Sequence, residues 1–292
     1  MKRALALILL LAGCAARPAT VVPAAETLLT IPMRDEQGTL RHLTARLCRP
    51  PGPWPTPLVV INHGAPATLE RAPLMAPTSC ASPPARWFEA RGYAVLFALR
   101  RGFGASTGPI ASSGRCDDPD YIAAGLADAR DIAAIVSHGQ SLPGIARDGT
   151  VVVGQSTGGW AVIAYDTLPH PPLAGIIVMA GGRGARAGAE PCRADRLAEA
   201  AGAFGATSRT PMLWVYARSD LLFGPRVAAA MHTAFTRAGG RAELVQPEFR
   251  GVDGHRLFYA DGGGAVWGPI VDDYLEIGKG RLAQASLQDF TK

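Results

Sequence analysis

Three widely separated residues of this chain have the chemistry of a nucleophile, an orienting acid and a base, in that order. Ser156 lies in GQSTGG (154–159), after the apolar run 150–153 and before an apolar helical run. Asp220 ends LWVYARSD, and His255 lies in GVDGHRLF. A serine hydroxyl is a weak nucleophile until a base removes its proton, and that base needs an acid to orient it. The order Ser, Asp, His after separate strands therefore predicts serine-dependent acyl transfer.

The glycines around Ser156 indicate a sharp turn from strand to helix. Gly154 and Gly158 stand two residues before and two after the serine. They remove side chains where strand and helix would collide, so the backbone can hold a strained turn that exposes the hydroxyl. The alternative is a flexible glycine turn with an idle serine.

Asp220 and His255 also have plainer interpretations. Asp220 could cap the helix that begins near residue 225, and His255 could be a surface or packing histidine. The other histidines are worse placed or suit another role: His42 in a strand, His138 and His232 at or in helices, His170 in a Pro-flanked loop at the wrong edge of the sheet, and His63 before a glycine.

Two backbone N–H groups are predicted to bind the developing oxyanion. One belongs to Thr157, directly after the nucleophile, and the other to Ala65 in the HGAP stretch 63–66. Pro66 is excluded because proline has no N–H. We interpret His63 as a structural residue that holds this loop rather than as a second base.

Apolar runs alternate with helical patterns along the chain. Several runs are continuously apolar, which is typical of parallel strands covered on both faces. Strands are predicted at 27–32, 42–48, 57–62, 94–99, 150–153, 174–179, 212–216 and 242–247, and helices at 84–91, 121–137, 158–168, 225–237 and 266–276. This pattern predicts an α/β fold with a doubly wound, mostly parallel sheet of about eight strands and an antiparallel pair at its start. Functional groups in such sheets collect at the carboxyl ends of the strands.

The connection after the sixth strand, 181–209, exceeds what a tight turn needs and contains a helical fragment at 193–201. It is either a small insertion that covers the pocket as a lid or one crossover helix with irregular ends. Two glycine-rich stretches, 100–108 and 182–187, resemble phosphate-binding loops but lack the P-loop lysine and the helical context of a dinucleotide fingerprint. We predict that both border the pocket and that no cofactor binds.

The first residues predict export from the cytoplasm. Residues 1–13 form a signal peptide with a basic start and an apolar run too short to span a bilayer. The sequence LAGC at 11–14 looks like a bacterial lipobox, which implies cleavage before Cys14 and lipid attachment to it. Residues 14–25 are a Pro- and Ala-rich tether and 26–292 the folded domain. The alternative is an ordinary secretory signal cut near residues 15 and 16.

These features predict a cell-envelope protein, on the periplasmic side of a membrane that it contacts through the lipid on Cys14, or a secreted one. Ala15, rather than aspartate, follows the cysteine and favours the outer membrane in a Gram-negative source. The chain has 29 basic and 24 acidic residues, and removing residues 1–13 lowers its net charge from +5 to +3. The arginines are scattered, so nucleic-acid binding is not predicted.

Four cysteines remain after Cys14, which permits two disulfides in an oxidising compartment and three pairings. They are Cys48, Cys80, Cys116 and Cys192. The preferred pair is Cys80 with Cys116, because both are predicted in loops near the rim of the site. No spacing matches a CxxC pattern, so no metal site is predicted.

The motifs together resemble the α/β-hydrolase superfamily, over about residues 26–276. GxSxGG with an RGxGxS-like loop is similar to dienelactone hydrolase-like and prolyl oligopeptidase-like members. Dienelactone hydrolases proper use a cysteine nucleophile, and Ser156 in its place favours a small-molecule carboxylic ester over a lactone. The resemblance implies a cofactor-free serine esterase. A small exopeptidase or amidase with the same three residues, and a non-catalytic envelope binding protein on the same fold, remain alternatives.

Overall fold

An eight-stranded sheet crosses the structure, with helices on both of its faces. The computed structural model describes residues 21–22, 25–185, 190–251 and 253–289. The ten strands are β1 Val21–Val22, β2 Ala25–Arg34, β3 Leu40–Arg49, β4 Gly52–Pro53, β5 Leu58–Asn62, β6 Ala94–Ala98, β7 Val151–Gln155, β8 Gly175–Met179, β9 Met212–Val215 and β10 Ala242–Val245. The α-helices are α1 Pro83–Glu89, α2 Tyr121–Ser141, α3 Thr157–Tyr165, α4 Ala194–Gly205, α5 Pro225–Arg237 and α6 Gly263–Asp289. Two 3₁₀ helices lie within the described ranges, at Leu69–Leu74 and Gly254–Arg256.

The strand order confirms the predicted doubly wound sheet. It runs β10-β9-β8-β7-β5-β6-β3-β2, and the strands from β10 to β6 are parallel. The strands β2 and β3 form the antiparallel pair expected at the start, and β3 is antiparallel to β6. All eight strands predicted from the sequence are present in this sheet. Parallel order brings the carboxyl ends of β5 to β9 to one edge.

The central strands are buried on both faces, as their continuous apolar runs require. Alternate residues of β5 separate into two cores: Leu58 and Val60 pack with α2, α3, α4 and α5, whereas Val59 and Ile61 pack with α1 and α6. Each buried aliphatic side chain of this kind contributes about 1.5–3 kcal/mol. The sheet is therefore a rigid support for the loops at its carboxyl edge.

The connection after β8 combines the two interpretations given by the sequence. Its helix, α4, packs against α2 and α5 through Leu197, Ala201 and Phe204, so it is a crossover helix of the core layer. The segment before it carries Cys192 and borders a cavity described below. The small insertion is therefore a loop that lines the pocket, followed by a packed helix.

The predicted disulfide between Cys80 and Cys116 is wrong. Cys80 is bonded to Cys48, and Cys116 to Cys192. Cys80 packs with the core on the side of α1 and α6, where Cys48 at the end of β3 is fully buried. The loop of Cys116 lies instead against the segment after β8. The sequence placed both loops near one rim, but it could not show that the Cys80 loop crosses a different face.

The predicted signal peptide, 1–13, and the lipidation site Cys14 lie outside the described residues. Within the predicted tether, Val21–Val22 pair with Gly52–Pro53 in a small antiparallel ribbon, and Ala25 already begins β2. Among the helices in the described ranges, none combines the length and the apolar character needed to cross a membrane.

Candidate active site

Ser156 occupies a strained turn between β7 and α3. Its backbone has φ 56° and ψ −121°, a conformation that non-glycine residues rarely adopt. Three backbone hydrogen bonds hold it there: its N–H donates to Met179 O at 3.1 Å, and its carbonyl accepts from the N–H groups of Trp160 and Gly182 at 3.0 Å. The surrounding core therefore maintains the turn, as the predicted elbow requires.

The two glycines of the motif stand where the chain segments touch. A Cβ at Gly154 would overlap the carbonyl of Gly158, and a Cβ at Gly158 would overlap the carbonyl of Asn62. Because these neighbours are backbone atoms of core elements, they cannot move aside cheaply. Glycine is thus required at both positions by close packing of β5, β7 and α3.

Asp220 and His255 are brought together from separate loops. Asp220 follows β9 with a fully buried side chain, and its Oδ1 accepts hydrogen bonds from the N–H groups of Leu222 and Phe223, both at 2.8 Å. His255 lies in the 3₁₀ helix after β10, where its Nδ1–H donates to Asp220 Oδ2 at 3.2 Å. A carboxylate can only accept, so this contact requires the proton on Nδ1 and leaves Nε2 as the basic atom.

Asp253 joins the two loops that carry this pair. Its Oδ1 accepts from His255 N at 3.0 Å and from Leu221 N at 3.1 Å. Two carboxylates, Asp220 and Asp253, thus fix the position of His255 through its ring and its backbone.

The imidazole of His255 lies beside the elbow. Gln155, the residue before Ser156, donates from Nε2 to His255 O at 3.1 Å, and the same nitrogen is 3.4 Å from His255 Nε2. Within the part of the chain that the structure describes, Ser156 Oγ makes no hydrogen bond. The structure therefore pairs Asp220 with His255 and places His255 next to the turn of Ser156, without a closed Ser–His hydrogen bond.

The two predicted oxyanion donors border one cavity. Thr157 is the first residue of α3, where helical N–H groups have no intrahelical acceptor. Ala65 follows Gly64, which packs so closely on the elbow that a Cβ there would lie 2.9 Å from Ser156 Cβ. Both Thr157 and Ala65 line a cavity of about 370 Å³.

His63 holds its loop through both ring nitrogens. Nε2 accepts from the N–H of Arg100 at 3.1 Å, and Nδ1–H donates to Gly64 O at 2.8 Å. Burial, together with the charge of Arg100, holds the pKa of His63 well below its ordinary value of 6.5. The ring is therefore neutral and fully engaged, which leaves it no role as a second base.

Both glycine-rich stretches predicted to border the pocket do line this cavity. Arg100 and Phe103 come from the first, and Arg183 and Ala185 from the second. The Cys116–Cys192 disulfide forms another part of the wall and ties two of its loops together. Ser156 and His255 are not part of this wall, but Thr157, directly after the serine, is, and the cavity is large enough for a small organic substrate.

A buried carboxylate, Asp128, lies between two arginines of the cavity wall. Arg183 Nη1 is 2.6 Å from Asp128 Oδ2, and Arg100 Nε is 3.3 Å from Oδ1. Arg100 also donates to His63 O at 2.7 Å and to Thr157 Oγ1 at 3.1 Å, so one side chain connects both segments that carry the predicted oxyanion donors. Removing one partner of such a buried pair leaves an uncompensated charge.

Reasoning from the sequence missed Asp128, Gln155 and the structural role of Arg100. A signal for the first was present, because Asp128 and Asp131 stand three residues apart on a face of α2 that is otherwise buried and apolar. Carboxylates in such positions indicate buried cationic partners. Gln155 had no comparable signal, since a polar residue before the nucleophile fits many turns.

The strand order of the sheet and the strained turn at Ser156 between β7 and α3 are those of the α/β-hydrolase fold. No family model matches the chain, and no curated protein matches it by sequence. Among solved structures it is similar to a Pyrococcus furiosus esterase, with 14% identity, TM-score 0.55 and coverage of 87% of this chain and 91% of that one. It is also similar to Porphyromonas gingivalis dipeptidyl peptidase 4, with 12% identity, TM-score 0.59 and coverage of 88% of this chain and 35% of that one.

A third similar structure is the acylaminoacyl peptidase of Pyrococcus horikoshii, with 13% identity, TM-score 0.54 and coverage of 80% of this chain and 38% of that one. The chain thus spans little more than a third of either peptidase. At this level of identity the similarities show a shared fold, and the chemistry has to be argued from the site.

Proposed function

We propose that this protein is a serine hydrolase that cleaves small carboxylic esters. Ser156 Oγ attacks the ester carbonyl carbon while His255 Nε2 takes its proton. The same proton then passes to the departing alkoxide, so that an alcohol leaves and an acyl-enzyme remains. Water, deprotonated by His255, releases the acid and restores the serine.

Asp220 holds the imidazole through Nδ1 and stabilises its positive charge in this scheme. The N–H groups of Thr157 and Ala65 bind the oxyanion, where fixed backbone donors act without reorganisation. The single observation that supports the proposal is the strained, non-glycine φ of 56° at Ser156, next to a His255–Asp220 pair whose tautomer leaves Nε2 basic.

The test is covalent labelling of the purified protein with a fluorophosphonate, followed by mapping of the adduct. We expect the adduct on Ser156, and we expect Ser156→Ala to lower kcat for short p-nitrophenyl esters by at least about a thousandfold. Ser141→Ala, at an exposed hydroxyl at the end of α2, is the matched control and should retain normal turnover. Unlabelled protein, or an active Ser156→Ala variant, would refute the proposal and favour a binding protein.

The preference for an ester over an amide is inferred from the sequence, and a direct comparison of two substrates tests it. A p-nitrophenyl ester and the p-nitroanilide of the same acyl group should be compared for kcat/KM. A hydrolase of the proposed kind strongly prefers the ester. A preference for the anilide, after correction for intrinsic reactivity, would assign the protein to the exopeptidase and amidase class instead.

We also propose that the mature protein is lipid-anchored in the cell envelope through Cys14. Metabolic labelling of the full chain with a fatty-acid analogue should mark the wild type, and Cys14→Ser should abolish the label and release the protein from the membrane fraction. Secretion of an unlabelled wild-type protein, cut near residues 15 and 16, would contradict this proposal.

A further inference from the structure

Gln155 contacts the atom of His255 that has to accept the proton of the nucleophile. Its Nε2 lies 3.4 Å from His255 Nε2 and donates to His255 O at 3.1 Å. The orientation of the amide follows from the second contact, because a backbone carbonyl can only accept. Gln155 Oε1 points instead to the turn at Gly64, where it fills the space that a Cβ would occupy.

An amide NH₂ group carries hydrogens and no available lone pair. Its contact with His255 Nε2 therefore stabilises only an unprotonated Nε2. That is the same form of the ring that Asp220 selects by accepting from Nδ1. Of the two neutral tautomers, both side chains thus select the same one, with the proton on Nδ1 and the lone pair of Nε2 facing the elbow. They differ towards the protonated ring, which the carboxylate of Asp220 stabilises and the amide of Gln155 does not.

We propose that Gln155 is a positioning residue that keeps His255 in its proton-accepting form. The inference rests on the proposed hydrolase function. In the resting enzyme the amide occupies Nε2 through a long, weak contact, which Ser156 Oγ can replace when a substrate binds. The bond to His255 O keeps the 3₁₀ helix of residues 254–256 against the elbow during this exchange.

The same contact favours the second proton transfer. Once Nε2 has taken the proton from Ser156 Oγ, the amide of Gln155 cannot return to it, because both groups would then be N–H donors. The protonated ring therefore gains no stabilisation from Gln155 and gives its proton to the departing alkoxide, while Asp220 still accepts from Nδ1.

Gln155→Glu inverts this effect, since a carboxylate accepts from a protonated Nε2. The pH at which kcat/KM falls to half on the acid side should rise by about one unit, the lower end of the effect of an opposite charge at this distance. Gln155→Met removes the donor without adding charge, and its midpoint should rise by a few tenths of a unit.

Gln140→Glu is the matched control. Gln140 donates to Thr150 Oγ1 at 3.0 Å, at the opposite end of β7 from Gln155. The substitution Gln140→Glu therefore makes the same chemical change far from His255. Its acid-side midpoint should equal that of the wild type. Thermal melting of each variant shows which proteins are folded, and Gln155→Met decides the question if Gln155→Glu fails to fold.

The inference is overturned if folded Gln155→Met, and Gln155→Glu where it folds, keep the wild-type midpoint, or if the glutamate variant moves it downwards. A purely structural role would lower kcat/KM at all pH values alike and leave the midpoint unchanged, which also counts against the proposal. Failure of the underlying hydrolase function is distinguishable, because the wild type would then show no Ser156 adduct with a fluorophosphonate.

Discussion

Replacing Asp220 by asparagine should reverse the tautomer of His255. The carboxylate has two different duties: Oδ1 accepts from the N–H groups of Leu222 and Phe223, and Oδ2 accepts from His255 Nδ1. Asparagine has only one oxygen. Two backbone donors at 2.8 Å outweigh one contact at 3.2 Å, so the oxygen should stay with the backbone and the NH₂ should face the ring.

In that arrangement His255 Nδ1 must accept a hydrogen bond, and the proton moves to Nε2. Nε2 can then no longer take a proton from Ser156, and its N–H also faces the amide of Gln155. The loss of a base through the wrong tautomer is worth about four orders of magnitude in kcat, or about 5.5 kcal/mol at about 1.36 kcal/mol per factor of ten. The fold should be little changed, because the backbone donors keep their acceptor.

The assay is kcat for a p-nitrophenyl ester together with the melting temperature. Asp253→Asn is the matched control, because within the described residues Oδ1 of Asp253 accepts backbone N–H groups alone, those of His255 and Leu221. An amide oxygen can accept both. That variant should stay within about threefold of the wild type. An Asp220→Asn enzyme that retains a tenth of its activity, or a control that loses as much as Asp220→Asn, would refute the reasoning.

Two further predictions concern stability. Replacing both Cys116 and Cys192 by serine should lower the free energy of unfolding by about 4 kcal/mol, because the disulfide joins residues 76 positions apart; denaturant unfolding measures this. The same change should raise KM, because the disulfide forms part of the cavity wall, and steady-state kinetics measure that effect. A hydrogen bond with Asp166 raises the pKa of His170, so the ion pair stabilises the fold below about pH 6.5 and loses this effect as the pH rises through the raised pKa. His170→Gln should therefore cost about 2 kcal/mol near pH 6 and progressively less at higher pH; equal losses across that range would contradict it.

The parallel sheet could be predicted from the sequence because its signal is local. Continuous apolar runs such as 58–62 and 175–179 are strands buried on both faces, and the structure has them as β5 and β8. The elbow could be predicted for a similar reason, since its glycines are spaced locally around Ser156 and Gly154 is required by the carbonyl of Gly158, four residues away. The second requirement, at Gly158, is set by the carbonyl of Asn62 on a distant strand, which the sequence did not show. The predicted end of α2 was less accurate, because the helix continues past residue 137 to Ser141.

The disulfides and the charged wall of the cavity could not be predicted in the same way. Their partners are far apart in sequence, and loop paths over the sheet decide which ones meet. Cys116 and Cys192 come together where Arg183 donates to Ser113, a contact that no local pattern encodes. The position of Asp128 on an apolar helix face indicates that it has a cationic partner. It does not indicate which of the many arginines that partner is.

The candidate site consists of two halves that are stabilised independently around Ser156. The half with the proposed base, His255, is fixed by backbone N–H groups on the carboxylates of Asp220 and Asp253, in loops after β9 and β10. The half with the proposed oxyanion donors depends on a buried guanidinium, that of Arg100, which joins the loop of His63 to Thr157. Loss of the base should therefore leave the oxyanion half intact, and such an enzyme keeps the part of catalysis that electrostatic stabilisation provides. Gln155 spans the boundary, since it precedes Ser156, fills the space at Gly64 beside the loop of Ala65 and contacts His255. We therefore expect a change there to alter the pH dependence of the base as well as the alignment of the two halves.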